Sequence, residues 1–560
     1  MVKTIIIYIF LSLLCITNGV SQVQSREELS GKAAYIQGME AFSSEQYEEA
    51  RSHLLQAYKD LDQPAGVSYS LADTFLQLDD LPNAILYGKE AVAADPTNKW
   101  YRMKLAQIYR NAGQNQATLA ELSTLLKQYP DDFDVLFMLA KTYREYGEFV
   151  KSNQTLDKIL KLTGPTIQAN LLKFRNYEEL GVTDSALVQL ETIRSIDPDN
   201  LEVLNLLGNY YSKSGKEDKA KTVLGDALNR NARDPQSLIN LAGLYFEEQK
   251  WDSAGTLLGN FMADSLNEAE AKMVIAQYLY NKVQDNPQNI QLKIETERIF
   301  DLFTESETDY GPAFTLTGQF FAQQGKTDQA LEKLKTANKL LPEDDIAWRQ
   351  RLQLLISENK LEQTIETGLV ANQHIPDDAF IQFFIGSAYM LKGNNTEAEK
   401  WLQKASRAPA RRPFKSTVYS TLGDVQANLN KAEASDKAYE TALRYDPDNH
   451  NAMNNYAYNL SIRGEKLDKA KELALEAIEQ APENPAYLDT VGWIYYKLGD
   501  YDRARRFIKA SIDIGDAGAV VLEHLGDVYK KLGKPDEARK WWKAAFEKDT
   551  SKTHLKDKIQ

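Results

Sequence analysis

Apolar residues recur along the chain at i, i+3, i+4 and i+7, the spacing that gives an α-helix one buried stripe. The stripes come in pairs, and the pairs repeat every 34 residues. A column of small residues marks the phase: Gly38, Ala72, Ala106, Ala140, Phe174, Gly208, Ala242 and Ala276 stand 34 apart without a gap. The column resumes at Gly318, Leu352, Gly386, Gly423, Ala457, Gly492 and Gly526. Thirteen of these fifteen positions are Gly or Ala, so chance does not account for the column.

Other columns hold the same phase. Three residues after the small one an aromatic is frequent, as at Phe75, Tyr109, Tyr143, Tyr211, Tyr389 and Tyr495. Twelve after it comes a second small residue, as at Ala50, Ala84, Ser152, Ala220, Ala398 and Ala538. Near the end of many periods stands a proline, as at Pro96, Pro130, Pro198, Pro342, Pro376, Pro447 and Pro482. The pattern predicts two antiparallel helices per period. Gly or Ala lets their backbones approach to the short end of the usual 8–10 Å range, and the aromatic fills the space beside it. Glycines such as Gly113, Gly147, Gly215 and Gly533 end the first helix, where a left-handed residue is wanted. Proline closes the second helix, because it has no N–H to donate.

These columns resemble the tetratricopeptide repeat, whose period is the same. The resemblance spans residues 31–552. It implies an all-α solenoid, a right-handed superhelix of about fifteen helix-turn-helix repeats, in which each repeat touches only its neighbours. Three departures are visible. Phe174 and Leu352 occupy the small column, so those helix pairs are expected to be splayed or shifted. The eighth repeat carries eight extra residues, expected around Asn281–Gln291 between its helices. Three more, between Arg407 and Ser416, lengthen another connection.

The ends read differently. Met1–Ser21 has the form of a secretory signal: Lys3, a ten-residue run Ile5–Leu14 that is largely apolar, and Gly19 and Ser21 before a cut at Gln22. Export to the periplasm or beyond is the expectation. Cys15, the one cysteine, follows Leu13 and Leu14 rather than the small residues of a lipobox, so an outer-membrane lipoprotein is not the expected form. Membrane association is then expected only through partners or through weak lipidation of Cys15. Residues 22–30 read as a disordered polar linker and 553–560 as a C-terminal cap or tail.

The formal charge of −14, from 80 acidic and 66 basic residues, disfavours nucleic acid as a partner. Catalytic chemistry has no evident home. His53, His374, His450, His524 and His554 are scattered over different repeats, with no pair at the i, i+4 spacing of a helical zinc site. No phosphate-binding glycine loop or nucleophile elbow is present, and the repeats consume the chain. The acidic pairs Asp131–Asp132 and Asp344–Asp345 fall in inter-repeat turns, where helix N-caps are expected. No enzyme, metal or cofactor is therefore expected.

Binding is the better reading. In proteins of this resemblance the first helices line a concave face, and side chains off the small and aromatic columns point into it. Asn451, Asn454, Asn455 and Tyr458 come from one first helix, Asp489, Thr490, Trp493 and Tyr496 from the next, and Glu523, His524 and Asp527 from the last. Amides both donate to and accept from an extended peptide, and aromatics add contact area at low entropic cost. A basic loop of Arg407, Arg411, Arg412 and Lys415 stands out on an acidic chain and suits an anionic partner or membrane surface. Of Trp541 and Trp542, one is expected to fill the apolar column.

The segments Asn454–Tyr458, Arg463–Ala470, Leu488–Tyr496 and Leu525–Tyr529 are similar to bacterial envelope proteins of this repeat class, some of which are lipoprotein adaptors of carboxy-terminal processing proteases. That resemblance implies a scaffold or adaptor holding a protein or extended peptide in its groove, in envelope assembly or protease regulation. The alternative is a module that binds glycan or peptidoglycan through the groove aromatics.

Overall fold

The computed structural model describes residues 26–560. The expected signal peptide, Cys15 and the start of the linker lie outside the described residues. The described chain is all helix and turn, without a strand: 31 helices, which pack in successive pairs within each unit, six pairs from Arg26 to Arg230 and eight from Ala269 to Lys548. None of them is long and apolar enough to cross a membrane. The chain divides into two compact units, one up to Glu248 and one from Gln249 to Gln560.

Most helices run 13 or 14 residues, and local chemistry sets their ends. First helices start on a side-chain cap that repeats with the period: Asn98, Asp132, Thr166, Asn200, Asp234, Asp344, Asp378, Asn449 and Asn484 each accept from backbone N–H groups two or three residues on. Asp132 and Asp344 are thus caps. First helices end in a left-handed turn. At Gly147 (φ +74°) the chain reverses while Glu148 N–H reaches back to Tyr143 O at 2.8 Å, which satisfies a carbonyl the helix leaves open. Asp79, Asn359 and Asn430 take the same conformation where the column lacks glycine.

Packing explains the small column. A Cβ placed on Gly208, Gly318 or Gly386 would fall 2.5–2.8 Å from the leucine sixteen residues later on the paired helix (Leu224, Leu334, Leu402). At Gly423 and Gly526 the opposing side chains are larger, Tyr439 and Trp542. Leu352 reverses the arrangement. The residue sixteen later is Gly368, and the leucine, fully buried, shares the space over it with Ile385. That helix pair does pack more loosely than its neighbours. The pair at Phe174 does not: its two helices pack as closely as the next pair, because the ring turns onto Tyr210 of the following repeat, 5.3 Å away edge-to-face.

Three expectations about length are corrected. The extra residues of the eighth repeat form no loop. They lengthen both helices, Ala269–Asp285 and Ile290–Ser306, to 17 residues each, leaving a short turn at 286–289. The second of these lies mainly on the preceding Trp251–Ala263, where Gly255 and Gly259 leave a flat strip under Glu295, Arg298 and Leu302. Likewise the residues added after Arg407 become an extra turn at the start of Arg412–Asn428. Residues 26–30 are the first turns of the helix Arg26–Ser43, not linker. At the other end a short helix, Leu555–Ile559, buries Leu555 completely against Leu522, Trp542 and Ala545.

Candidate functional site

Four consecutive first helices, Arg412–Asn428, His450–Arg463, Pro485–Leu498 and Ala519–Lys531, share one groove of about 410 Å³ in the second unit. Only first-helix side chains line it. Asn454, Asn455, Tyr458, Asp489 and Thr490, singled out from sequence, meet there; Asp424, Asn428, Asn459, Ala486, Val520 and Val521 complete it. Donors and acceptors ring an apolar patch of alanine and valine.

Asp424 organises one wall. Tyr439 OH donates to its Oδ1, and Asn455 Nδ2 lies 3.3 Å from both carboxylate oxygens. Asn459 Nδ2 donates to Tyr439 OH at 2.8 Å. Burial pushes the Asp424 carboxyl up to about 6, against the pull of the Tyr439 and Asn455 donors. Beside it Asn454 is 7% exposed, and its Oδ1 has no hydrogen-bond donor.

The next layer is aromatic. His524 Nδ1 stands 3.1 Å from both oxygens of buried Asp489. Trp493 stacks on Tyr496 (4.6 Å) and on His524 (3.9 Å), and only 8% of it is exposed. Trp493, Tyr496 and His524 therefore back the wall rather than line the groove. Thr490 OH donates to Ala486 O at 3.0 Å, and Asn451 Oδ1 accepts from Tyr487 OH at 2.7 Å, so Asn451 ties two helices together. Burial raises the Tyr458 hydroxyl above its ordinary range, helped by the charges of Asp489 and Glu523.

Glu523 and Asp527 are taken by the chain itself. Lys552 Nζ (3.0 Å), His554 Nε2 (2.8 Å) and Lys558 Nζ (3.1 Å) converge on Glu523. Lys558 and the Trp542 indole N–H also donate to Asp527, at 2.8 and 2.9 Å. Burial opposes ionisation of Glu523, yet these donors hold it down to about 2. Trp542 fills the apolar column opposite Gly526, and Trp541 is half-buried beside it.

The basic loop is divided. Arg407 and Arg411 are exposed. Arg412 donates to the carbonyls of Arg444 and Tyr445, at 3.0 and 3.3 Å, which closes the end of the paired helix. Lys415 is buried, donates to Ser406 O and is pushed down by that burial. A second cavity of about 720 Å³ lies beside Arg412, Tyr419, Lys437 and Arg444. Among the described residues no set of His, Cys, Asp and Glu side chains gathers that could hold a metal ion.

The sequence signal for Asp424 was present. It follows the small Gly423 by one, as Tyr458 follows Ala457, Trp493 follows Gly492 and Asp527 follows Gly526.

Models of the tetratricopeptide repeat match residues 35–99, 101–132, 201–234, 381–410, 416–449, 459–519 and 519–547, together about half the chain. A TPR repeat-containing protein of Pseudomonas aeruginosa is 25% identical over 198 residues, 35% of this chain and 32% of that protein, so the match spans about a third of the curated relative. Among solved structures, the APC/C hetero-tetramer Cut9–Hcn1 aligns over 96% of each chain, at 13% identity and a TM-score of 0.38. A tetratricopeptide repeat protein from Parabacteroides merdae aligns over 44% of this chain and 97% of its own, at 15% identity and a TM-score of 0.37. YrrB, described as a TPR protein with an unusual peptide-binding site, aligns over 34% and 95%, at 22% identity and a TM-score of 0.28. With family models matching half of its residues on a common repeat period, the chain belongs to the tetratricopeptide-repeat family.

Proposed function

We propose that this chain is an exported scaffold that holds a protein, or an extended segment of one, in the groove of repeats 12–15. One observation carries the reading. Four successive first helices present amides, hydroxyls and carboxylates around an apolar patch, a surface that pairs with a peptide backbone and its side chains along one line. Asn454, Asn455, Asp489 and Thr490, which belong to the segments similar to envelope adaptors of carboxy-terminal processing proteases, lie on that surface. This supports a role in envelope assembly or protease regulation. The signal-like Met1–Ser21 supports export. The glycan alternative is weaker, because of the groove aromatics it relies on, Trp493 and Tyr496 stack on each other behind the wall, which leaves Tyr458 as the one lining the groove.

The test is recovery of partners from an envelope extract by wild-type chain and by an Asn455→Ala/Tyr458→Ala/Thr490→Ala variant whose helix content is intact by circular dichroism. Loss of a specific partner supports the reading; equal recovery overturns it.

A further inference from the structure

The chain's own end shows what these first-helix faces take. Glu523 stands three residues before the small Gly526, and Asp527 one after it. On that pair of positions Lys552, His554 and Lys558 converge. The same two positions in the three preceding repeats are Asp489 and Trp493, Asn454 and Tyr458, and Ser420 and Asp424. The columns that bind a basic segment in repeat 15 therefore run on into the groove.

The groove itself has matching chemistry. Asp424 and Asp489 line it, and no Lys, Arg or His does. His524 Nδ1 is engaged by Asp489, and the cations packed nearby are engaged too: Lys497 over the Trp493 ring at 5.2 Å, Arg463 and Lys466 by Asp436. Asn454 adds a buried carbonyl oxygen without a donor. Ala486, Val520 and Val521 offer an apolar bed of the kind on which lysine and arginine stems lie while their heads seek acceptors.

Resting on the groove reading above, we propose that the bound partner segment is basic: a lysine- or arginine-bearing stretch of protein whose cationic heads meet Asp424 and Asp489 and whose stems lie on Val520 and Val521.

The test uses the whole chain and three labelled decapeptides by fluorescence anisotropy: alternating Lys-Ala, the same peptide with every lysine acetylated, and alternating Glu-Ala. Wild type is expected to bind the Lys-Ala peptide at least about fivefold tighter than the acetylated one, with no binding of the Glu-Ala peptide. Asp424→Asn and Asp489→Asn, each checked by circular dichroism, are each expected to weaken Lys-Ala binding by about fivefold or more. Asp328→Asn, which removes the same charge from an exposed site in repeat 9, is the control and is expected to have less than about a twofold effect. Equal weakening by the control, equal binding of the acetylated peptide, or no binding of the Lys-Ala peptide overturns the proposal. Failure of the groove reading is read separately, by photo-crosslinking from position 428. A partner segment attached there that contains neither Lys nor Arg overturns the basic-segment proposal and leaves the groove standing. No attachment there overturns the groove itself.

Discussion

Replacing Asp424 by asparagine isolates the charge in the groove wall, because the amide keeps an oxygen for Tyr439 OH and nearly the same volume. The wild-type carboxyl titrates near 6 in the folded chain and near 3.8 when unfolded. A raised folded value means that the unfolded state releases the proton more readily. Folding is therefore favoured by this group below pH 3.8, and the contribution is lost as pH rises through 6. The difference of roughly two pH units corresponds to about 3 kcal/mol of charging cost at neutral pH, of which about 1.5 kcal/mol returns between pH 7 and pH 5. Asp424→Asn should therefore stabilise repeats 12–14 at pH 7, with a margin over wild type that shrinks by about that amount at pH 5. The assay is hydrogen exchange by mass spectrometry on peptides from His450–Arg463, which reads local opening where a repeat array does not unfold as one unit. A margin that stays constant between pH 7 and pH 5, or grows on acidification, refutes the reasoning.

Other residues give sharper structural tests. Gly526→Ala drives a methyl to within 2.4 Å of the Trp542 ring and should lower the melting temperature of the C-terminal repeats, with a cost of about 1–3 kcal/mol. Gly225→Ala, in the helix Glu217–Arg230 with open space around it, should instead stabilise by about 0.5–1 kcal/mol; the two variants compared by thermal melting must move in opposite directions. Lys272 is fully buried, with its amine on Ser306 and Glu307, so Lys272→Ala should cost about 3–5 kcal/mol in chemical denaturation by stranding Glu307. Glu523→Gln should loosen the terminal helix Leu555–Ile559, seen as faster exchange there. In wild type that contact is expected to hold above pH 4.5 and to be lost as pH falls toward 2, since the folded carboxyl is depressed.

Much of the fold could be read from the sequence because each column has one task repeated many times. The left-handed turn, the N-cap and the close crossing are local, so one residue type signals each. Leu352 misled in part because its accommodation is a property of a pair: the compensating Gly368 stands sixteen residues away, on the other helix. The eight extra residues of the eighth repeat were countable, but their form was not read. Leu279, Val283, Leu292 and Ile299 carry the helical stripe straight through the region, and all are buried. At the candidate site, five of the expected residues fall on one groove because they share helical phase. Trp493 and His524 share that phase too, yet stack on each other and leave the surface. Glu523 and Asp527 stand in groove columns, but the basic tail that occupies them comes from beyond the last repeat, where the period no longer guides the reading.

The central claim is that a partner lies along the first helices of repeats 12–15. A photoreactive amino acid placed at position 458, in the groove, and at position 476, on the exposed side of the helix Leu467–Gln480, tests it in living cells. The account predicts one protein attached at 458 and none at 476. Attachment at 476 alone, or at neither position while the chain still recovers its partner, contradicts it.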